Sequence, residues 1–294
     1  MADKTPLILV PMGFSEQSFV ALDQALIFAN TMKANLLLLA VNNNDNHLRE
    51  MFGDAGGKKE LGAKVEEKLK AVAEEYATKS GLTIGTEMAT GVVYEEIARV
   101  CEDKVVDLVI MGTNGKPQNL KKRFIGSNAF RTVTRVDPPV ITVKGVRKIS
   151  GVNTIIFPLV LDRRSKEKVG PALHYARLFK SRIKVVSVLI EEDDEKKLRA
   201  HLKQVEKFIN DHGVECTSAL LKPTKKNKGI VRNTLNYAYE NEGDLMIITE
   251  DDKERDFTDF FIGTDVQAMI YHSEIPVMCI TPSEVKWAAL WEGI

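Results

Sequence analysis

Short, unbroken apolar runs alternate along this chain with longer amphipathic stretches. Leu7–Val10 in "PLILVPM" is apolar throughout, the pattern of a strand covered on both faces of a parallel sheet. "SEQSFVALDQALIFANTMK" follows, with Phe19, Leu22, Leu26 and Ala29 at helical spacing and Ser15 placed to cap the helix. "NLLLLAV" reads as a second buried strand. A polar helix is predicted from Lys59 to Lys79, a short strand in "GLTIGTEMA" and a helix from Tyr94 to Glu102. A strand in "VVDLVIMG", a helix opening at Gly126-Ser127 and a last strand in "PPVITVKG" complete the set. Five strands alternating with four helices predict an open, doubly wound α/β sheet. Ligands of such sheets sit beyond the carboxyl ends of the strands, at the topological switch point.

The pattern then repeats. "LILVP" is answered by "TIIFP" at an offset of 147 residues, as are "ALIFA" by "ALHYA" and "ANLLLLAV" by "SRIKVVSV". Further on, "VDLVIMG" pairs with "GDLMIIT", Gly126-Ser127 with Gly263-Thr264 and "PPV" with "IPV", all at an offset of 137. A single longer loop in the first copy, Asn42–Lys59 against Glu191–Lys197, accounts for the difference on the sequence alone. One long period seen twice indicates a duplicated domain rather than a solenoid, whose repeats run about 20–50 residues. The expected boundaries are 1–148 and 149–294, with a C-terminal tail at 282–294.

Composition narrows the classes. The 294 residues are 44% apolar and 28% charged, with 41 basic and 41 acidic side chains. That balance gives no global field for nucleic acid or an anionic membrane. The start of the chain has no signal-peptide pattern, and no run approaches the ~20 apolar residues of a membrane helix. The cytoplasm is therefore the expected location. Cys101, Cys216 and Cys279 are widely separated and form no C-x-x-C, so they are expected as buried apolar residues, with no disulfide framework and no metal.

The candidate chemistry lies in "MGTNGKPQNLKKRFIGSN", which leaves the fourth strand and enters a helix. Glycines let backbone approach an anion, and free N–H groups at a helix start attract negative charge. Ser127 can donate a hydroxyl to a phosphate oxygen. Between Gly112 and Ser127 there are four basic residues and no acidic one; the matching Thr249–Thr264 has six acidic residues against two basic. Phosphate is thus expected in the first half only.

With "ILVP", "DLVIMGTNG", "IGS" and "PPVITVKG" in view, almost the whole chain resembles the universal stress protein family, as two tandem domains. The resemblance implies two five-stranded parallel sheets with flanking helices, of the adenine-nucleotide alpha-hydrolase-like type. Domains of that family pair through their last strands, so it also implies an intrachain pseudo-dimer, with homo-oligomers as a further expectation. Some members bind ATP or AMP through G-x2-G-x9-G-S/T. Gly112, Gly115, Gly126 and Ser127 match, with ten residues rather than nine before Gly126. The resemblance places a nucleotide against Pro11, Met12, Gly13, Val41, Gly112, Gly115, Gly126, Ser127 and Asn128. The family often carries Asp two residues after the first-strand Pro; here Gly13 stands there.

No triad, zinc or Walker pattern involves the five histidines or Ser127. The expectation is a non-enzymatic regulatory protein of the universal stress type, binding ATP or AMP in its first domain. A ligand-free interaction scaffold is the alternative, with an unidentified protein partner, and a slow ATPase ranks below it. For the scaffold, Trp287 and Trp291, four apart in the tail, are candidate contacts. Loop 42–59 is expected near the nucleotide cleft.

Overall fold

A computed structural model of the chain describes residues 4–43, 58–113, 128–144, 150–159, 165–190, 194–223, 229–249 and 264–280. The chain divides into two compact units, Met1–Lys148 and Ile149–Ile294. Gly115, Gly126, Ser127, the tail tryptophans and most of loop 42–59 lie outside the described residues.

In the first unit the elements are β1 (Leu7–Pro11), α1 (Glu16–Met32), β2 (Asn35–Asn42), α2 (Lys58–Ser80), β3 (Ile84–Thr90), α3 (Val93–Lys104), β4 (Leu108–Gly112), α4 (Asn128–Val133) and β5 (Val140–Val143). The strands run in the order β3-β2-β1-β4-β5 and all pair in parallel. The chain moves one way from β1 to β3 and returns across β1 to β4. Right-handed crossovers then put α1 and α2 on one face and α3 and α4 on the other. Tyr76 of α2 donates to Asp23 of α1 at 2.9 Å, and Tyr94 of α3 meets Arg131 of α4, in keeping with this. Ile8, Leu9 and Val10 have no exposed surface, as strands covered on both faces require. β3, at the edge, is only half covered, and its Glu87 pairs with Arg99 and Lys104 of α3.

The second unit repeats this with β6 (Thr154–Pro158), α5 (Ser165–Phe179), β7 (Arg182–Val188), α6 (Glu195–Asp211), β8 (Cys216–Leu221), α7 (Ile230–Glu240), β9 (Leu245–Thr249), α8 (Thr264–His272) and β10 (Val277–Ile280). Its order is β8-β7-β6-β9-β10, again parallel. The duplication extends to backbone detail. Lys33 and Lys180 are both left-handed where α1 and α5 end, as are Gly81 and Gly213 after α2 and α6, and Val105 and Glu242 after α3 and α7. Each of these ends the helix and lets it turn towards the next strand. Asp107 accepts from the Leu7 amide at 2.8 Å, and its counterpart Asp244 accepts from Thr154 at 2.9 Å.

The register corrects the reading of the length difference. Leu36 pairs with Ile84 and Ile183 with Cys216, so β3 and β8 correspond at an offset of 132, while α3 and α7 correspond at 137. Two segments therefore differ: the first unit is longer between β2 and β3, and the second is longer between β8 and α7. The two changes partly cancel, which left only their net effect visible along the sequence. Among the described residues, no helix is long and apolar enough to cross a membrane.

Candidate functional site

The β1–β2 and β1–β4 registers bring Pro11, Val41 and Gly112 to the same edge of the first sheet, at the switch point. Beyond Pro11, the Met12 amide donates to the Leu39 carbonyl at 2.8 Å, so pairing continues one residue past the strand. Gly13 is exposed, and no described residue comes within 4 Å of where a side chain would start. Phe14 turns the chain with φ of 57°, a left-handed conformation unusual for an aromatic residue, held while its side chain is buried. Ser15 caps α1, accepting from the Ser18 amide at 3.3 Å. Val41, next to last in β2, is buried, while Asn128 opens α4 and is exposed.

Gly112 has a role that the loop pattern did not suggest. A Cβ there would lie 2.6 Å from the Gln17 carbonyl carbon and 3.0 Å from the Gln17 Cβ. Glycine at the end of β4 thus lets the first turn of α1 pack directly against the strand. Thr113, the next residue, is buried and points its hydroxyl at the Val143 carbonyl, 3.3 Å away.

An open cleft of about 420 Å³ lies at the ends of β2 and β3. Asn42 and Asn43 from the end of β2, Thr90 from the end of β3, Val92–Tyr94 from the start of α3, and Asn128 and Arg131 from α4 line it. The Gly91 amide donates to the Asn42 carbonyl at 3.3 Å and ties the two strand ends together. Val92 is the N-cap of α3 and has no side-chain acceptor to offer, while Glu95 and Glu96 in the first turn set negative charge against the helix start. The Arg131 guanidinium lies 5.1 Å from the Tyr94 ring centroid and that of Arg135 5.4 Å from it. Such stacking contributes roughly 0.5–1 kcal/mol at an exposed site and restrains a long side chain. Arg131 is the one charged side chain among the described lining residues. Among the described residues, it pairs with no carboxylate, and the side chains of Asn42, Thr90, Tyr94 and Asn128 make no hydrogen bond. Their polar atoms are thus available to a ligand.

The second unit does not reproduce this surface. Leu189 and Ile190 stand where Asn42 and Asn43 do, Val231 replaces Tyr94, Asp265 replaces Asn128 and Ala268 replaces Arg131. These positions have become apolar or acidic, while Lys222, paired with Glu195, stands where Thr90 does.

Of the residues expected from the sequence, Asn128 lines the cleft and Pro11, Met12, Gly13, Val41 and Gly112 do not, while Asn42, Thr90, Tyr94 and Arg131, which line it, were not among the expected residues. The pairs Tyr94/Val231 and Arg131/Ala268 were a usable signal, because the other asymmetry between the copies, in the Gly112–Ser127 segment, already pointed to the same edge. His174 is held below its usual value by burial first and by Arg177 second. Cys101 and Cys216 are buried, and burial pushes both thiols up to about 12. Among the described residues no cluster of His, Cys, Asp and Glu suited to a metal occurs.

Comparison with known proteins defines the class. Residues 6–144 match the sequence model of the universal stress protein family. Universal stress protein MJ0577 of Methanocaldococcus jannaschii is 32% identical over 153 residues, which cover 47% of this chain and 93% of that protein. Universal stress protein MJ0531 of the same organism is 40% identical over 90 residues, 31% of this chain and 50% of its own length. The chain belongs to the universal stress protein family. At about twice the length of a single family domain, it has the tandem form: a crystal structure of a universal stress protein from Archaeoglobus fulgidus DSM 4304 superimposes with a TM-score of 0.74. That match covers 95% of this chain and 97% of the other, at 18% identity, and establishes the shared fold.

Proposed function

We propose that this protein is a non-catalytic, cytoplasmic regulator of the universal stress type, which binds an adenine nucleotide, ATP or AMP, in its first unit and none in its second. The carrying observation is the asymmetry of the two clefts. In the first unit, Asn42, Thr90, Tyr94, Asn128 and Arg131 converge beside the switch point with uncommitted polar groups; in the second, their counterparts are largely apolar or acidic. Family membership and the matched Gly112, Gly115, Gly126 and Ser127 support the same reading. Binding there would connect the ends of β2 and β3 with α3 and α4, and so bias the surface that those elements present to a partner.

The test uses the full chain. Gentle purification, denaturation and mass spectrometry of the released small molecules identify any resident nucleotide, and calorimetry on the stripped protein measures ATP and AMP. The reading predicts one site per chain, weakened by Asn128→Ala. A chain that is empty and silent to both nucleotides would establish the alternative, a ligand-free scaffold, which the missing carboxylate at Gly13 favours. Steady ATP turnover, lost in Asn128→Ala, would replace the non-catalytic reading with an enzymatic one.

A further inference from the structure

The first-unit cleft contains two side chains whose spacing is set by the sheet itself. Asn42 and Thr90 are Cα partners in the parallel β2–β3 register, so they stand on the same face of adjacent strands. Such strands lie about 4.8 Å apart, and both residues line the cleft. The Gly91 amide, 3.3 Å from the Asn42 carbonyl, holds the two strand ends in that register. Gly91 takes a φ of 155°, and a Cβ there would sit 2.8 Å from Glu96 Oε1, so the corner after Thr90 is built for glycine. Arg99 holds Glu96 in turn, at 2.9 Å. Among the described residues, the side chains of Asn42 and Thr90 make no hydrogen bond. In the second unit the corresponding residues are Leu189, which has no polar side-chain atom, and Lys222, which Glu195 engages at 2.7 Å.

From this pair we infer that the first-unit cleft recognises a vicinal diol, the 2′- and 3′-hydroxyls of a ribose. The inference rests on the nucleotide reading and specifies its ligand class: ribonucleotides ahead of nucleotides that lack these hydroxyls. Neighbouring ribose hydroxyls lie closer together than the two strands, so an amide and a hydroxyl converge on them from either side. Each sugar hydroxyl both donates and accepts, as the Asn42 amide and the Thr90 hydroxyl do, so every proton in the contact finds an acceptor. A phosphate oxygen only accepts, and it would leave the Asn42 carbonyl oxygen facing negative charge. Thr90 is exposed and Asn42 half-buried, so water replaces part of a lost contact. Each bond to the diol is therefore worth about 3- to 10-fold in affinity.

The experiment is calorimetry on the full chain: wild type, Thr90→Val, Thr90→Ser and Asn42→Leu against ATP, 2′,3′-dideoxy-ATP and ribose 5-phosphate. Valine keeps the strand preference of threonine without its hydroxyl, and Asn42→Leu installs the second unit's residue; coincident circular dichroism melts check the fold. Wild type is expected to bind ATP about 10- to 50-fold more tightly than the dideoxy analogue. Thr90→Val and Asn42→Leu should each weaken ATP by about 3- to 10-fold and leave the analogue within about twofold. Thr90→Ser keeps a hydroxyl and should stay within about twofold of wild type. Equal wild-type affinity for ATP and the analogue, or an equal loss for both in Thr90→Val, would overturn the inference while leaving nucleotide binding in place. Thr90-dependent binding of ribose 5-phosphate without nucleotide binding would keep the diol contact and overturn the nucleotide reading. Silence to all three probes would overturn both.

Discussion

Substituting Gly112 by alanine separates a packing role from a merely permissive loop. The new Cβ would overlap the Gln17 carbonyl oxygen and sit 2.6 Å from its carbon, where ordinary contact begins at 3.4 Å. These are backbone atoms of the first turn of α1, so no rotamer change relieves them. The turn must retreat by about 1 Å from β4, and α1 carries the fully buried Leu22 and Phe28. Overpacking of this size costs about 1–3 kcal/mol, and the reduced freedom of the unfolded chain returns about 0.4–1 kcal/mol. The net loss is about 1–2 kcal/mol, or a midpoint lowered by roughly 0.5–1 M urea for the first unit. Far-ultraviolet circular dichroism of the full chain in urea measures it. Gly13→Ala is the matched control, because Gly13 is exposed and no described residue lies within 4 Å of a Cβ there, and it should stay within about 0.5 kcal/mol of wild type. Wild-type stability in Gly112→Ala, or an equal loss in Gly13→Ala, would refute the packing argument.

Other expectations follow from the same coordinates. Gly13→Asp should fold normally and create a preference for ATP over GTP of at least about fivefold, read by competition calorimetry, since it adds the carboxylate that the family often carries at this exposed position, where no described residue lies within 4 Å of a Cβ; equal affinities would show that this position does not face the base. The three cysteines should resist a thiol reagent at pH 8 in the native chain and all react in denaturant, because all three are buried and burial holds Cys101 and Cys216 in the thiol form; one fast-reacting native thiol would contradict this. Tyr76 is pushed up to about 12, first by burial and then by its bond to Asp23. The folded chain keeps that proton while the unfolded chain loses it near pH 10, so stability present below pH 10 declines as the pH rises to 12. Discounted for the exposed part of the ring, the loss is about 1 kcal/mol, and Tyr76→Phe should flatten that part of a stability–pH curve.

Much of the fold was legible because its strongest signals are local. Strands buried on both faces must be unbroken apolar runs, as in Leu7–Val10, and Ser15 and the spacing of α1 identify that helix directly. The duplication made each element visible twice. The site was less legible because its side chains come from four separate elements and converge only through topology. Nothing near Tyr94 in sequence names Arg131, which faces it across two helices. Gly112 was read as an anion-facing glycine from its place in a motif, whereas its tightest constraint comes from Gln17, nearly a hundred residues away.

Hydrogen exchange with and without ATP on the full chain tests the central claim most directly. The account predicts slowed exchange in peptides covering 38–43, 90–95 and 128–135, with no change in 185–190, 229–235 and 264–272. Equal protection in both units would contradict the single-site asymmetry, and protection confined to segments away from the first-unit cleft would contradict its location.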